Sequence, residues 1–394
     1  MTAIGGPERR AVVIGGGIGG LAAAVALRRI GWTATVLERG SALSEIGAGM
    51  SQAPNALRAL DALGVGERAR AAGRPFYGTL NLRTPSGRHL MRVVPGTPTP
   101  LLGFHRADLH RVLLDAVPPS WVRPAARVAD VRTGAGAAAA VVDGVETRAD
   151  LIVAADGANS TARRLLWPRA DPPRFRGHTV WRGIARAEGV EGSMTLGRGG
   201  YFLAMPVGGG RVYWAHVARA AAQGIRHRDE PAELRRRLAG WHAEVRRLLA
   251  ATPPEAVLHH DITDLAPLPT YVKGRVALLG DAAHPMYPDL GQGAGQAIED
   301  AVVLGAALAG TADIDAALLR YDRERRPRSQ WVAKEAARNA RSNLSSSRLA
   351  YGFRVAAVSL VPSKRWPDWS ARALSALWGW TPPDLPEPGS GAPA

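Results

Sequence analysis

The chain has 394 residues, of which 46% are hydrophobic, a formal charge of +16 and no cysteine. That length can bury a core large enough for two domains, or for one α/β unit with an attached second layer. The missing cysteines exclude disulfides, thiolate metal sites, redox dithiols and cysteinyl attachment of a cofactor. The positive charge is almost all arginine, with lysine only at 273, 334 and 364, and it is spread along the chain without a clustered stripe. No nucleic-acid partner is therefore expected, and attraction for anionic cofactors and substrates is the plainer reading.

No segment reaches the ~18–20 consecutive apolar residues of a bilayer span. "MTAIGGPERR" runs straight into "AVVIGGG" without the h-region of a secretory signal, so the chain reads as cytoplasmic. Residues 11–38, "AVVIGGGIGGLAAAVALRRIGWTATVLE", predict a strand, a glycine turn, an Ala/Leu helix and a second strand, a complete βαβ opening. Gly15, Gly17 and Gly20 give the G-x-G-x-x-G spacing at that turn: the first for tightness, the second for backbone approach to a pyrophosphate, the third for helix packing on strand. Glu38 ends the second strand at the distance expected of a carboxylate that accepts from ribose hydroxyls. No second such triplet follows a strand, which favours one cofactor spanning the domain, FAD over NAD.

A loop then leads to a helix from about Pro54, a hairpin turning at "TPSG" (84–87), and a helix in "RADLHRVLLDAV" (106–117). Short strands are expected around 126–148, with "GAGAAAA" (134–140) as a small-residue loop. "LIVAA" (151–155) suits a strand buried on both faces, and the alternating stretches between 176 and 218 suit an antiparallel sheet covered on one side. A strand at 275–279 and a helix after Gly293 restore the α/β pattern, so the cofactor domain is discontinuous. From 313 the sequence is helical and rich in Arg and Trp, and "TPPDLPEPGSGAPA" (381–394) reads as a disordered tail.

In "LLGDAAHPMYPDLGQGAGQAIEDA" (278–301), an Asp at a strand end precedes three glycines at the mouth of a helix. Bare backbone at a helix start faces ligands, since unpaired N–H groups there attract negative charge. At this point the chain resembles the single-component, group A flavin monooxygenases of the para-hydroxybenzoate hydroxylase-like fold. "LIVAADGANSTAR" is similar to their Asp-Gly signature through Asp156, Gly157, Ser160 and Arg163. "GDAAHPMYPDLGQGAGQAIEDA" is similar to their Gly-Asp signature through Gly280, Asp281, His284, Pro285, Pro288, Gly291, Gln292 and Gly293. The resemblance covers roughly residues 10–340.

The resemblance implies an α/β fold: a Rossmann-like FAD-binding domain in three parts (1–75, 106–174, 269–340), a substrate-domain hairpin (76–105), an inserted antiparallel β-sheet substrate domain (175–268) and C-terminal helices (341–380). It implies that Asp281 binds the ribityl hydroxyls and that Arg106 reaches the phosphate and ribityl region. Glu38 takes the adenosine ribose with Arg39 beside it, Ser51 touches the cofactor, Val128 brackets the adenine, and Asp156 lies near the pyrophosphate. Pro288, Gly291, Gln292, Gly293 and Ala294 surround the flavin, and a helix starting near Gly291 would favour the anionic reduced ring.

It further implies NAD(P)H and O₂ as co-substrates and hydroxylation, or epoxidation, of an aromatic or polyunsaturated small molecule through a flavin C4a-hydroperoxide. Arg182, Tyr201, Tyr213 and Asp289 are the candidate substrate contacts, although alternation alone does not say which strand face meets the ligand. His284, His216, Glu299 and Asp300 read as structural, and no metal site is expected. "WGWTPP" (378–383) departs from the halogenase Trp-x-Trp-x-Ile-Pro pattern at Pro382. The expected assembly is a monomer or homodimer. A flavin-dependent halogenase or dehydrogenase, or a non-catalytic flavin-binding module, are the alternatives.

Overall fold

The computed structural model describes residues 9–43, 49–76, 81–92, 101–134, 136–360 and 374–386. Its first layer is a six-stranded sheet centred on Arg10–Ile14, which pairs in parallel with Leu151–Ala154 on one side and Thr33–Leu37 on the other. Val276–Leu278 extends it in parallel beyond Leu151–Ala154, and Val122–Arg123 beyond Thr33–Leu37. Leu151–Ala154 is buried throughout, as a strand covered on both faces requires. The helices Ile18–Arg29 and Gly293–Ala309 pack on each other, and the small residues on both allow close approach: a Cβ on Gly305 would lie 3.0 Å from that of Ala26.

The second layer is a seven-stranded sheet in the order Leu258–Asp264, Arg174–Arg186, Arg211–Arg219, Gly200–Gly208, Ser193–Gly197, Leu82–Arg83, His89–Met91. All its pairings are antiparallel except Leu82–Arg83 with Ser193–Gly197. One face carries Trp181, Phe202 and Trp214 against Leu234, Leu238, Val245 and Leu248 of two short helices. A three-stranded sheet of Gly49–Gln52, Leu101–His105 and Arg74–Phe76 joins the layers, with bare backbone at Gly103 set against Met205 and Pro206.

A second three-stranded sheet corrects the sequence reading. Ala138–Val142, expected in part as a loop, is the central strand between Val128–Thr133 and Val145–Ala149. Alanine has little strand preference of its own, but Ala138 and Ala140 are buried in the main core, and that tertiary packing decides.

The helix Ile314–Asn343, 30 residues long, is capped by Asp313 and straps the back of the molecule. Tyr321 donates to the Leu278 carbonyl at 2.8 Å, and Tyr271 meets Ser329 at 2.9 Å. Part of the expected disordered tail is instead packed on the body: Leu385, like Trp380 before it, lies against the main core, because it fills the space above Gly305. The rest of that tail, 387–394, and residues 361–373 of the expected C-terminal helices lie outside the described residues. Among the described residues no helix is long and apolar enough to cross a membrane.

Candidate active site

A cavity of about 900 Å³ opens at the carboxyl ends of the parallel strands, beneath the free face of the seven-stranded sheet. Ligands of open α/β sheets bind at such strand ends. Gly15 follows the first strand with φ +103°, and a side chain there would collide with the Ala155 carbonyl. Gly17 lines the cavity too, whereas Gly20 does not; it lies against the Gly15 carbonyl, where only bare backbone lets the helix sit. Glu38 closes the turn by accepting from Gly16 N at 2.7 Å and Gly40 N at 2.8 Å, and Arg39 and Val128 line the wall nearby.

The Asp-Gly turn places Asp156 on the same cavity. Its Oδ2 accepts from Thr161 N at 2.6 Å, while Oδ1 is buried without a partner among the described residues. Ser160 caps the following helix by accepting from Arg163 N at 2.9 Å, and the Arg163 guanidinium donates to the Ala282 carbonyl at 2.6 Å. One arginine thereby ties the Asp-Gly turn to the Gly-Asp turn. There Gly280 takes φ +62° and Asp281 reaches the cavity exposed.

The helix expected after Gly293 runs Gly293–Ala309, two residues past the start near Gly291 that the resemblance implied, because Pro288–Leu290 forms a 3₁₀ turn and Gly291 is left-handed at φ +61°. A Cβ on Gly291 would lie 2.5 Å from Ser51 Oγ. Among the described residues no side chain caps the helix, and its first turn holds no acid, so its N–H groups remain open. Ser51, Arg106, Pro288, Gly291, Gln292, Gly293 and Ala294 all line the cavity.

The sheet face is now assigned. Arg182, Tyr201 and Tyr213 point into the cavity together with Val180, Leu203, Met205, Ala215 and Val217, which alternate with them. Gly49 passes directly under Tyr213, where a Cβ would collide with the ring. Burial, then the Asp289 charge, pushes the Tyr201 hydroxyl well above its ordinary value; burial also raises that of Tyr213, against a smaller pull from Arg182. Both therefore remain neutral donors. Asp289 is not in the lining: its carboxylate faces the Tyr201 hydroxyl, and Oδ1 accepts from Asn343 Nδ2 at 3.3 Å.

The four residues read as structural are so placed. His284 is buried and donates from Nε2 to Asp300 Oδ2 at 2.6 Å. Burial would raise the Asp300 carboxyl, but His284 and Arg325 outweigh it and hold it at about 2. Glu299 accepts from Arg325 Nη1 at 2.6 Å and Arg328 Nε at 2.6 Å. His216 lies on the far sheet face, stacked on Trp181, with burial driving it down to about 4. Trp380 stands over Arg325 and Arg328, behind the cofactor helix and away from the cavity.

Among the lining residues that escaped the sequence reading are His110 and Tyr287. His110 donates from Nε2 to the Gly16 carbonyl at 2.7 Å and steadies the glycine turn. It lies one helical turn after Arg106, so i,i+4 spacing could have revealed it. Tyr287, next to Pro288, also lines the cavity, and its hydroxyl lies 3.2 Å from His178 Nδ1.

These groups fit a flavin nucleotide: carboxylates with free lone pairs for hydroxyls, glycine backbone for a pyrophosphate, and an uncapped helix start for an electron-rich ring edge. The family model described as "FAD binding domain" matches residues 8–336. The aurachin C monooxygenase/isomerase of Stigmatella aurantiaca is 40% identical over 320 residues, 79% of this chain and 83% of that protein. The 3-amino-4-hydroxybenzoate 2-monooxygenase of Streptomyces platensis is 37% identical over 352 residues, 84% of this chain and 88% of that one. The crystal structure of Klebsiella pneumoniae HpxO complexed with FAD and uric acid superposes with a TM-score of 0.85 at 30% identity, covering 93% of this chain and 97% of that one. The chain belongs to the FAD binding domain family and, within it, to the FAD-dependent aromatic hydroxylases and monooxygenases of the para-hydroxybenzoate hydroxylase-like fold.

Proposed function

We propose that this enzyme uses NAD(P)H and O₂ to hydroxylate a planar, electron-rich aromatic compound seated between the flavin and the sheet face carrying Arg182, Tyr201 and Tyr213. One observation carries the reading: the three glycine-rich turns and that sheet face line a single cavity. Glu38 and Asp281 would hold the ribose and ribityl hydroxyls, Gly15, Gly17 and Asp156 the pyrophosphate region, and Gly293 and Ala294 the ring edge. The chemistry supplied by bound FAD is acceptance of hydride from NAD(P)H followed by activation of dioxygen.

What the chain contributes is placement and dryness. The open N–H groups of Gly293–Ala309 present a positive dipole end, worth up to ~2 kcal/mol toward nearby negative charge when partly buried. Val180, Leu203, Met205, Ala215 and Val217 shed water from the substrate side, which limits wasteful peroxide release. Tyr213, neutral, has its hydroxyl proton to donate, whereas that of Tyr201 is directed at Asp289, which leaves the Tyr201 oxygen to accept. Arg182, whose Nε is buried without a partner among the described residues, suits an acidic or phenolic oxygen on the ring. Asp289 acts only through Tyr201.

The test is reconstitution with FAD, then a panel of hydroxylated benzoates, purines and quinolones, following NADH and NADPH oxidation and oxygen-18 incorporation. A compound that accelerates pyridine nucleotide oxidation and emerges with one labelled oxygen supports the reading. Reduction of the flavin with no labelled product across the panel defeats it.

A further inference from the structure

A second cavity, about 590 Å³, lies where the far end of the same sheet face meets the end of the long helix. His178 and Arg219 sit directly opposite each other on the strands Arg174–Arg186 and Arg211–Arg219. Further along these strands, Val180 and Arg182, with Ala215 and Val217, line the flavin cavity. The surface thus changes from mainly apolar over the catalytic site to cationic at its outer end.

The charge there is only partly balanced. Arg176, Arg219 and Arg341, all exposed to solvent, line the second cavity, and among the described residues no carboxylate does. Arg176 is paired with Asp264 at 2.6 Å, but among the described residues Arg219 donates only to the Ser346 hydroxyl, at 2.8 Å, and Arg341 has no ion pair. Guanidinium forks match the oxygens of a phosphate, and converging cations without counter-charge repel one another until an anion enters. The hydroxyl-bearing stretch 345–347 completes the rim with further donors.

We propose that this cavity binds a phosphate-bearing small molecule, with Arg219 and Arg341 as its principal contacts. The site adjoins the catalytic cavity through Tyr287, which lines the latter while its hydroxyl lies 3.2 Å from His178 Nδ1 in the former. The volume exceeds what a bare phosphate needs and leaves room for an organic group. The inference concerns a separate site and stands whether or not the substrate reading above holds.

Calorimetric titration of the FAD-loaded enzyme with inorganic pyrophosphate at low ionic strength tests it. One saturable site is expected, weakened roughly hundredfold in R219Q/R341Q, the loss of two charge-assisted contacts. The control R68Q/R111Q removes the same charge from exposed positions away from the cavity and should bind like the parent. Thermal melting and flavin content establish that both variants fold. Displacement of pyrophosphate by NADPH, with KM for NADPH raised in R219Q/R341Q, assigns the site to the dinucleotide. Undisturbed binding in the presence of NADPH assigns it to another phosphorylated metabolite. Absence of saturable binding, or equal weakening in the control, overturns the proposal.

Discussion

Asp289 allows a test in which a single charge can be removed without changing the shape of the side chain. Burial lifts its carboxyl from an ordinary 3.8 to about 6, against weaker pulls from Asn343 and the Tyr201 hydroxyl. A folded-state value above the unfolded one means that the native protein binds this proton more tightly. The associated stability is fully present below the unfolded value of 3.8 and is lost as pH rises through about 6. The full difference is worth about 3 kcal/mol. D289N keeps an oxygen for Asn343 and abolishes the titration. The variant and the parent should therefore be equally stable near pH 4, diverge through pH 5 and 6, and differ by about 3 kcal/mol in favour of the variant by pH 7.5. Urea unfolding of both proteins at matched pH, followed by tryptophan fluorescence, measures this. Taking the difference cancels the self-repulsion of the chain and every other titrating group. A variant that is less stable than the parent at pH 7.5, or a difference that does not change with pH, would show that the ionised carboxylate is well solvated in the native state and refute the reasoning.

Three further outcomes are expected. R325M leaves Glu299 and Asp300 buried without their shared cation and should cost ~3–5 kcal/mol, read as a lowered melting temperature of the FAD-loaded enzyme; a loss below ~1 kcal/mol would mean that Arg328 and His284 suffice. G15A forces a side chain into φ +103° and against the Ala155 carbonyl, so the purified protein should lose its yellow flavin on gel filtration; unchanged flavin content would count against the glycine cradle. Y213F removes one neutral donor from the substrate face. KM should rise about two- to tenfold, with more peroxide released per NAD(P)H oxidised, and unchanged values for both would place the substrate elsewhere.

The cofactor half of the molecule was legible because its signals are local. Gly15, Gly17, Gly20 and Glu38 owe their spacing to one βαβ unit, and each conformational demand falls on glycine or on a strand end. The same holds for Asp156 and Asp281, which follow apolar strands directly. Ala138–Val142 was not legible, because alanine carries no strand signal and the burial that fixes it comes from distant residues. The substrate face was half legible. Alternation grouped Tyr201 with Leu203 and Met205, and Tyr213 with Ala215 and Val217, but either face could have met the ligand. What decides is that Trp181, Phe202 and Trp214, bulky and on the opposite face, are covered by the helices Glu230–Arg237 and Ala243–Ala250.

The buried charges behind the cofactor helix show why position in a helix is a better guide to role than chemistry alone. Glu299 and Asp300 lie two turns inside Gly293–Ala309, too far from its open start to meet a ligand there, yet such residues are costly to bury without partners. Their partner, Arg325, comes from the opposite strap helix, 25 residues after Asp300, and Asn55 adds a bond of 2.6 Å to Glu299. No spacing rule links these positions. Arg328 and Arg58 then extend the cluster outward to the carbonyls of Leu377 and Trp380, which explains why the segment before the tail is held to the body. Buried ion pairs add little net stability over apolar packing, but they penalise every arrangement in which one member moves away. A helix whose uncapped start must stay aimed into the cavity gains from such a penalty, because sliding or rotating it would unpair Glu299 or Asp300. The charge cluster at the back thus fixes the orientation on which the front of the helix depends.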